Sequence, residues 1–162
     1  MTRWMKPWMI MFLATLLLVG CARVYKRQAQ FSPEEYAPYG VEGTSRVCGQ
    51  VFLMLDDGKM HLGVHDNVLL APMTSYTQEA FKVKVVRGRP IEPQDPQAKQ
   101  FEKTTQTDER GHFCFLNIPA GDYYVVADVT HPDSTKDKRV GKWVHAKATV
   151  KESDSVHLML TR

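Results

Sequence analysis

From Arg46 onward, apolar and polar residues alternate with a period of two over much of the chain. Val47, Gly49, Val51 and Leu53 share one phase and predict a strand running to about Leu55. Asp56-Asp57-Gly58 is a turn signal, and a second strand is expected from Val64 or Val68 to Met73. Ser75 to Glu79 predicts a short turn or helical cap. Phe81 to Val86 alternates apolar with basic residues, which predicts a strand with one buried and one wet face; Lys82 and Lys84 suit an edge. Gly88 to Lys99 holds three prolines and predicts an exposed loop. Phe101 to Thr107 is the next strand.

The clearest pattern spans Thr105 to Val129 and reads strand, turn, strand, turn, strand. Asp108 to Gly111 forms a turn, with Phe113 and Phe115 facing inward between His112 and Cys114. After the Pro119-Ala120-Gly121 turn, Tyr123, Val125, Ala127 and Val129 form the inward row of a longer strand. Pro132 to Lys138 is a polar tip, Val140 to Val150 another strand, and Ser155 to Leu160 the last. Seven or eight strands at this spacing, with almost no helix, predict an all-β, two-sheet antiparallel β-sandwich.

The N-terminus changes this picture. Arg3 and Lys6 precede an apolar run of 12 residues, Trp8 to Val19, which is short for a membrane span and right for a signal-peptide core. The run ends in Leu18-Val19-Gly20-Cys21, which resembles the lipobox of bacterial lipoproteins. The resemblance implies cleavage before Cys21 and lipidation of that residue, giving a chain anchored to the membrane, with the outer membrane and a periplasm-facing domain the expected location. Residues 1–20 are then the signal peptide and 21–45 a lipidated N-terminus and flexible tether. That tether would reach roughly 80 Å if fully extended. Tyr25, Tyr36 and Tyr39 within it are suited either to solvent or to docking on the domain. The folded domain is expected to occupy 46–162.

A second resemblance rests on the central motif. Thr107-Asp108-x-x-Gly111-x-Phe113-x-Phe115-x-x-x-Pro119-x-Gly121-x-Tyr123 resembles carboxypeptidase-regulatory-like domains, small β-sandwiches of the transthyretin type. Val47 to Val51 and Asn67 to Thr77 are similar to the first two strands of that family. The resemblance implies a fold and leaves function open, because its members include accessory, adhesive and assembly domains.

Charge and candidate chemistry narrow the reading. The chain of 162 residues carries a formal +3. Removing residues 1–20 takes away Arg3 and Lys6 and no acid, leaving 19 basic against 18 acidic residues, or +1. A nearly neutral chain argues against nucleic acid as a partner. With Cys21 lipidated, Cys48 and Cys114 remain as an even pair, both in the outward phase of strands. A disulfide between them and two free thiols both stay open. His61-x-x-x-His65 has the spacing of a helical metal pair but sits beside a turn without a third ligand, so no metal or other cofactor is assigned. The chain lacks the His-x-His of intradiol dioxygenases, the Tyr-Arg-Gly-Ser ending of hydroxyisourate hydrolases and the His-x-x-Glu of metallocarboxypeptidases. No catalytic residue is therefore named, and the chain is expected not to be an enzyme. Arg139, Lys142 and Trp143, the only Trp beyond residue 20, form a candidate binding surface in the most basic segment; the alternative is that Trp143 fills the core. The expected function is a lipid-anchored binding or assembly module of the cell envelope with an envelope-protein partner. The alternatives are a peptidoglycan- or glycan-binding lipoprotein and a small hydrolase or metalloenzyme.

Overall fold

A computed structural model describes residues 24–55, 57–133 and 138–161, with side chains described for all of these except 131–133 and 138–141. Cys21 and the expected signal peptide, residues 1–20, lie outside the described residues. Eight strands form two four-stranded sheets. The first sheet holds β1 (Ser45–Met54), β2 (Met60–Leu62), β5 (His112–Ile118) and β8 (Ser155–Leu160), in the order β2-β1-β5 with β8 on the other side of β1. The second holds β3 (Asn67–Pro72), β4 (Lys103–Gln106), β6 (Gly121–Asp133) and β7 (Lys138–Val150), in the order β4-β3-β6-β7. This is the sandwich expected from the period-two pattern. One pair departs from the antiparallel rule: β1 and β8 run parallel, with Val47 opposite Val156 and Val51 opposite Leu160. A parallel pair needs a long crossover, and the six intervening strands provide it.

The core lies between the sheets. Val47, Val51, Leu53, Phe113, Phe115 and Leu160 enter it from the first sheet, and Val68, Leu70, Val125, Ala127, Val129 and Val144 from the second. Each fully buried Val or Leu contributes about 1.5–3 kcal/mol relative to exposure. The Asp108 turn forms as its residues dictate. The Asp108 carboxylate accepts from the backbone N–H groups of Arg110 and His112, both at 2.8 Å. Those bonds, opposed by partial burial, hold its carboxyl below the usual range, the His112 amide contributing most. Gly111 has φ 75°. A Cβ there would also sit 2.7 Å from the Val51 carbonyl oxygen, so the turn needs glycine twice over.

Four expectations require correction or completion. Phe81 to Val86 is not a strand. Helix α2 (Ser75–Ala80) starts at a Thr74–Thr77 capping box and continues through Phe81–Val86 as a single wide π-helical stretch. The six-residue alternation is equally compatible with helical spacing, and Tyr76, Ala80 and Val83 fall on one face. This strap lies on the outer side of the second sheet, where the Phe81 ring stacks on Tyr124 at 4.1 Å.

The described part of 21–45 is not a tether. Tyr36 is 0% exposed. It is held in a small second core with Phe31, Tyr76, Ala98 and Phe101, its ring 4.8 Å from that of Phe101. Helix α1 (Pro33–Tyr36) carries it there. Glu79 of α2 binds the segment further upstream. Its carboxylate accepts from the Gln28 amide at 2.9 Å, the Ala29 amide at 3.1 Å and the Tyr25 hydroxyl at 3.1 Å. The domain boundary therefore moves from Arg46 back to at least Tyr25.

The proline-rich loop is not simply exposed. Ile91 pairs with Tyr25 in an isolated bridge, and Ala98 in the short helix α3 (Pro96–Lys99) is buried. Finally, Cys48 and Cys114 occupy directly opposed positions on β1 and β5, and their sulfurs are bonded at 1.99 Å.

Candidate functional site

The strap does not lie flat on the second sheet. Between them is a cleft of about 340 Å³, within the range of small-ligand sites. Leu69, Ala71, Tyr124, Val126 and Trp143 form its floor from the outward positions of β3, β6 and β7. Tyr76, Ala80, Phe81 and Lys84 of the strap form one wall, and the Pro90 to Gln94 loop forms another. Arg27 of the N-terminal segment and Glu102, just before β4, complete the lining.

Aromatic faces dominate the interior, and charge sits on the rim. The Phe81 ring packs face-on to Tyr124 and edge-on to His145 at 4.9 Å. The Lys84 ammonium lies 5.2 Å from the centre of the Trp143 ring. The Arg27 guanidinium lies 4.3 Å from the centre of the Tyr76 ring. Both are cation–π contacts that leave the cation's other donors available. The Arg27 backbone amide donates to the Glu92 carboxylate at 2.9 Å, and its Nε donates to the Glu92 carbonyl at 3.2 Å. Its Nη1 is buried with no hydrogen-bond partner among the described residues. Gln94 Nε2 donates to the Glu102 carboxylate at 2.7 Å. Burial pushes the Glu102 carboxyl above the usual range, against the Gln94 hydrogen bond and the positive charges of Lys99, Lys84 and Arg27.

Of the two candidate-surface residues with described side chains, Lys142 and Trp143, Trp143 alone reaches this cleft. Strand alternation sends Lys142 to the opposite face, where it is paired in register with Val129. The basic partner of Trp143 is instead Lys84, brought from the strap. The Arg139 side chain and Cys21 lie outside the described side chains. Trp143 does not fill the core either, since its side of β7 faces outward. The Cys48–Cys114 bridge is on the other sheet, remote from the cleft floor. His61 lies in β2 with Nε2 3.3 Å from the Thr130 carbonyl, and it does not converge with His65 on the cleft.

Sequence reasoning missed Arg27, Tyr76, Phe81, Tyr124 and Glu102. One signal was present: Tyr123 to Ala127 is a continuous apolar run, the mark of a strand covered on both faces. Something had to cover its second face, and the strap does.

No family model and no curated protein matches the chain. Among solved structures, a candidate carbohydrate-binding protein from Pseudomonas aeruginosa is similar, with a TM-score of 0.70 and 28% identity over 83% of this chain and 99% of that one. The major pilin subunit of Bacillus cereus aligns with a TM-score of 0.42 and 13% identity, over 74% of this chain and 30% of its own length. A minor pilin of Streptococcus agalactiae gives 0.41 and 13%, over 75% and 44%.

Proposed function

We propose that the chain is a non-catalytic carbohydrate-binding module of the bacterial cell envelope, anchored through lipid on Cys21 and binding glycan in the cleft beside Trp143. One observation carries the reading: the exposed side of a tryptophan, the ring faces of Phe81 and Tyr124, and a rim of Arg27, Glu92, Gln94 and Glu102 converge on one recess. Sugars present apolar C–H faces and a girdle of hydroxyls. Aromatic rings match the former, and charged or amide side chains that both donate and accept match the latter. The likeness to the Pseudomonas aeruginosa protein, which extends over nearly the whole of that chain, supports the same reading. The carboxypeptidase-regulatory-like resemblance fits as the scaffold that carries the cleft.

Both carboxylates of the cleft are already engaged within the protein, which supports a non-catalytic role. The Glu92 carboxylate is engaged by the Arg27 amide and the Glu102 carboxylate by Gln94. A glycosidase would need one of them as acid and the other as base or nucleophile. Titration calorimetry against oligosaccharides from envelope polysaccharides tests the reading, with Trp143→Ala expected to weaken binding at least about tenfold, the scale of one aromatic stacking contact. Unchanged affinity in that variant would move the site elsewhere. Chromatography of the same mixtures after long incubation is expected to return intact oligosaccharide; shortened products would overturn the non-catalytic part.

A second reading, assembly with an envelope protein, has its own support on the opposite side of the molecule. The outer face of the first sheet exposes Leu116 at 63% and Met159 at 71%, and the exposed pair Met54 and Met60 lies further along β1. Crosslinking in intact cells separates the two readings. A stoichiometric protein partner lost with Leu116→Lys and Met159→Lys would favour assembly, and recovery of glycan alone would favour the cleft.

A further inference from the structure

The charges around the cleft are unequally engaged, and this bears on which sugars it accepts. Two carboxylates and two cations line it. Both carboxylates already accept hydrogen bonds from the protein, Glu92 from the Arg27 amide and Glu102 from Gln94. Neither cation is ion-paired: among the described residues no carboxylate oxygen lies within salt-bridge distance of the Arg27 guanidinium or the Lys84 ammonium. Lys84 rests over Trp143, and Arg27 over Tyr76, at 5.2 Å and 4.3 Å from the ring centres. Arg27 spends its Nε on a main-chain carbonyl and holds a buried Nη1 with nothing to donate to. A buried guanidinium donor left without an acceptor is costly. A planar guanidinium is also the group best suited to meet a carboxylate.

Resting on the carbohydrate reading of the same cleft, the geometry points to an acidic sugar as the ligand: a glycan unit bearing a carboxylate that Arg27 Nη1 receives, with Lys84 beside the ring stacked on Trp143. The anion completes the hydrogen bonding of Arg27 and offsets two positive charges. Glu102 limits affinity from the same site, because its charge opposes an incoming carboxylate and it stands close enough to feel both cations. Its side chain is held by Gln94, so a glutamine in its place keeps the shape and removes the repulsion. Two sources share this chemistry: a uronic acid, with its carboxylate on the sugar ring, and a muramic acid, with its carboxylate on the lactyl ether.

The test uses the full chain in detergent micelles and calorimetric titration. The ligands are trigalacturonate, its methyl-esterified counterpart and an N-acetylglucosamine–N-acetylmuramic acid disaccharide. The expected result is binding of at least one carboxylate ligand at least about tenfold tighter than the ester, the scale of one charge-assisted hydrogen bond. Which of the two binds identifies the source. Arg27→Gln and, separately, Lys84→Gln are expected to erase the preference for acid over ester, and Glu102→Gln to raise the ratio of acid to ester affinity. Lys84→Gln alters an exposed strap position, so its result stands even where Arg27→Gln loosens the N-terminal segment. Equal affinity for acid and ester would overturn the inference and leave a neutral-glycan site standing. Binding of none of the three ligands would count against both the inference and the carbohydrate reading.

Discussion

Glu79 shows how much one carboxylate can decide. Burial pushes its carboxyl up, but the Gln28 and Ala29 amides and the Tyr25 hydroxyl outweigh that and hold it below the usual range. A carboxyl with a lowered value in the docked state contributes stability that is fully present above its ordinary value and is lost as pH falls through the lowered one. Docking of the N-terminal segment is therefore expected to weaken on acidification below the ordinary glutamate range, read as loss of hydrogen-exchange protection at the Gln28 and Ala29 amides. At neutral pH, Glu79→Ala removes the acceptor altogether. Trypsin is then expected to cut after Lys26 or Arg27 at least about tenfold faster than in the parent chain, the factor for losing one hydrogen bond to a charged group. Unchanged cleavage would mean that the segment is held by its other contacts, the Tyr25 and Arg27 bonds to the Pro90–Glu92 loop and buried Tyr36. Gly111 is the second decisive residue. Its φ of 75° and the Val51 carbonyl oxygen in the path of a Cβ predict that Gly111→Ala destabilises the domain by about 1–3 kcal/mol in urea unfolding.

At the scale of elements, seven of the eight described strands were legible, and the three-residue β2 and the strap were not. The sandwich announces itself through repeated period-two runs, each long enough to choose between periods, and through Asp108, Gly111 and Gly121 at the turns. The strap does not, because Phe81 to Val86 is only six residues long and its basic positions fit both an edge strand and a wet helical face. Its placement is settled by Thr74 capping and by Phe81 finding Tyr124, a contact between positions far apart in sequence. The same limit hid most of the cleft. Trp143 could be singled out as the lone tryptophan beyond residue 20, but its partners come from six other segments and share no motif. The basic neighbour Lys142 suggested a surface with Trp143 that alternation along β7 breaks up. The Cys48–Cys114 bridge links two neighbouring strands across a separation of 66 residues. Closing a loop of that length is worth roughly 4 kcal/mol in the chain-entropy model. Reduction, or a Cys48→Ala and Cys114→Ala double substitution, is expected to lower unfolding stability by up to that amount while leaving the cleft on the other sheet able to bind.

At the scale of the whole molecule, the docked N-terminal segment changes what an anchor on Cys21 would do. A free tether from residue 22 to 45 would let the domain range up to roughly 80 Å from the bilayer. Yet Tyr25 is already fixed: its amide donates to the Pro90 carbonyl at 2.9 Å and its carbonyl accepts from the Glu92 amide at 3.0 Å. Cys21 is four positions upstream, a span of at most about 14 Å. With lipid on Cys21, as proposed, the end of the cleft formed by Pro90 to Glu92 stays close to the head groups, and a polymeric glycan bound there would be held along the membrane. Energy transfer between a dye attached at Gln97→Cys and acceptor lipids in vesicles measures this directly. Strong transfer is expected for the lipidated chain. An inserted Gly/Ser linker of about 20 residues after Ala22 is expected to lower it sharply, since such a coil adds roughly 25 Å on average. Transfer that is weak at the outset, or indifferent to the linker, would show that Tyr25 releases the loop in the anchored protein. The lipid would then only localise the domain, and the cleft would be free to search for its ligand at a distance from the bilayer.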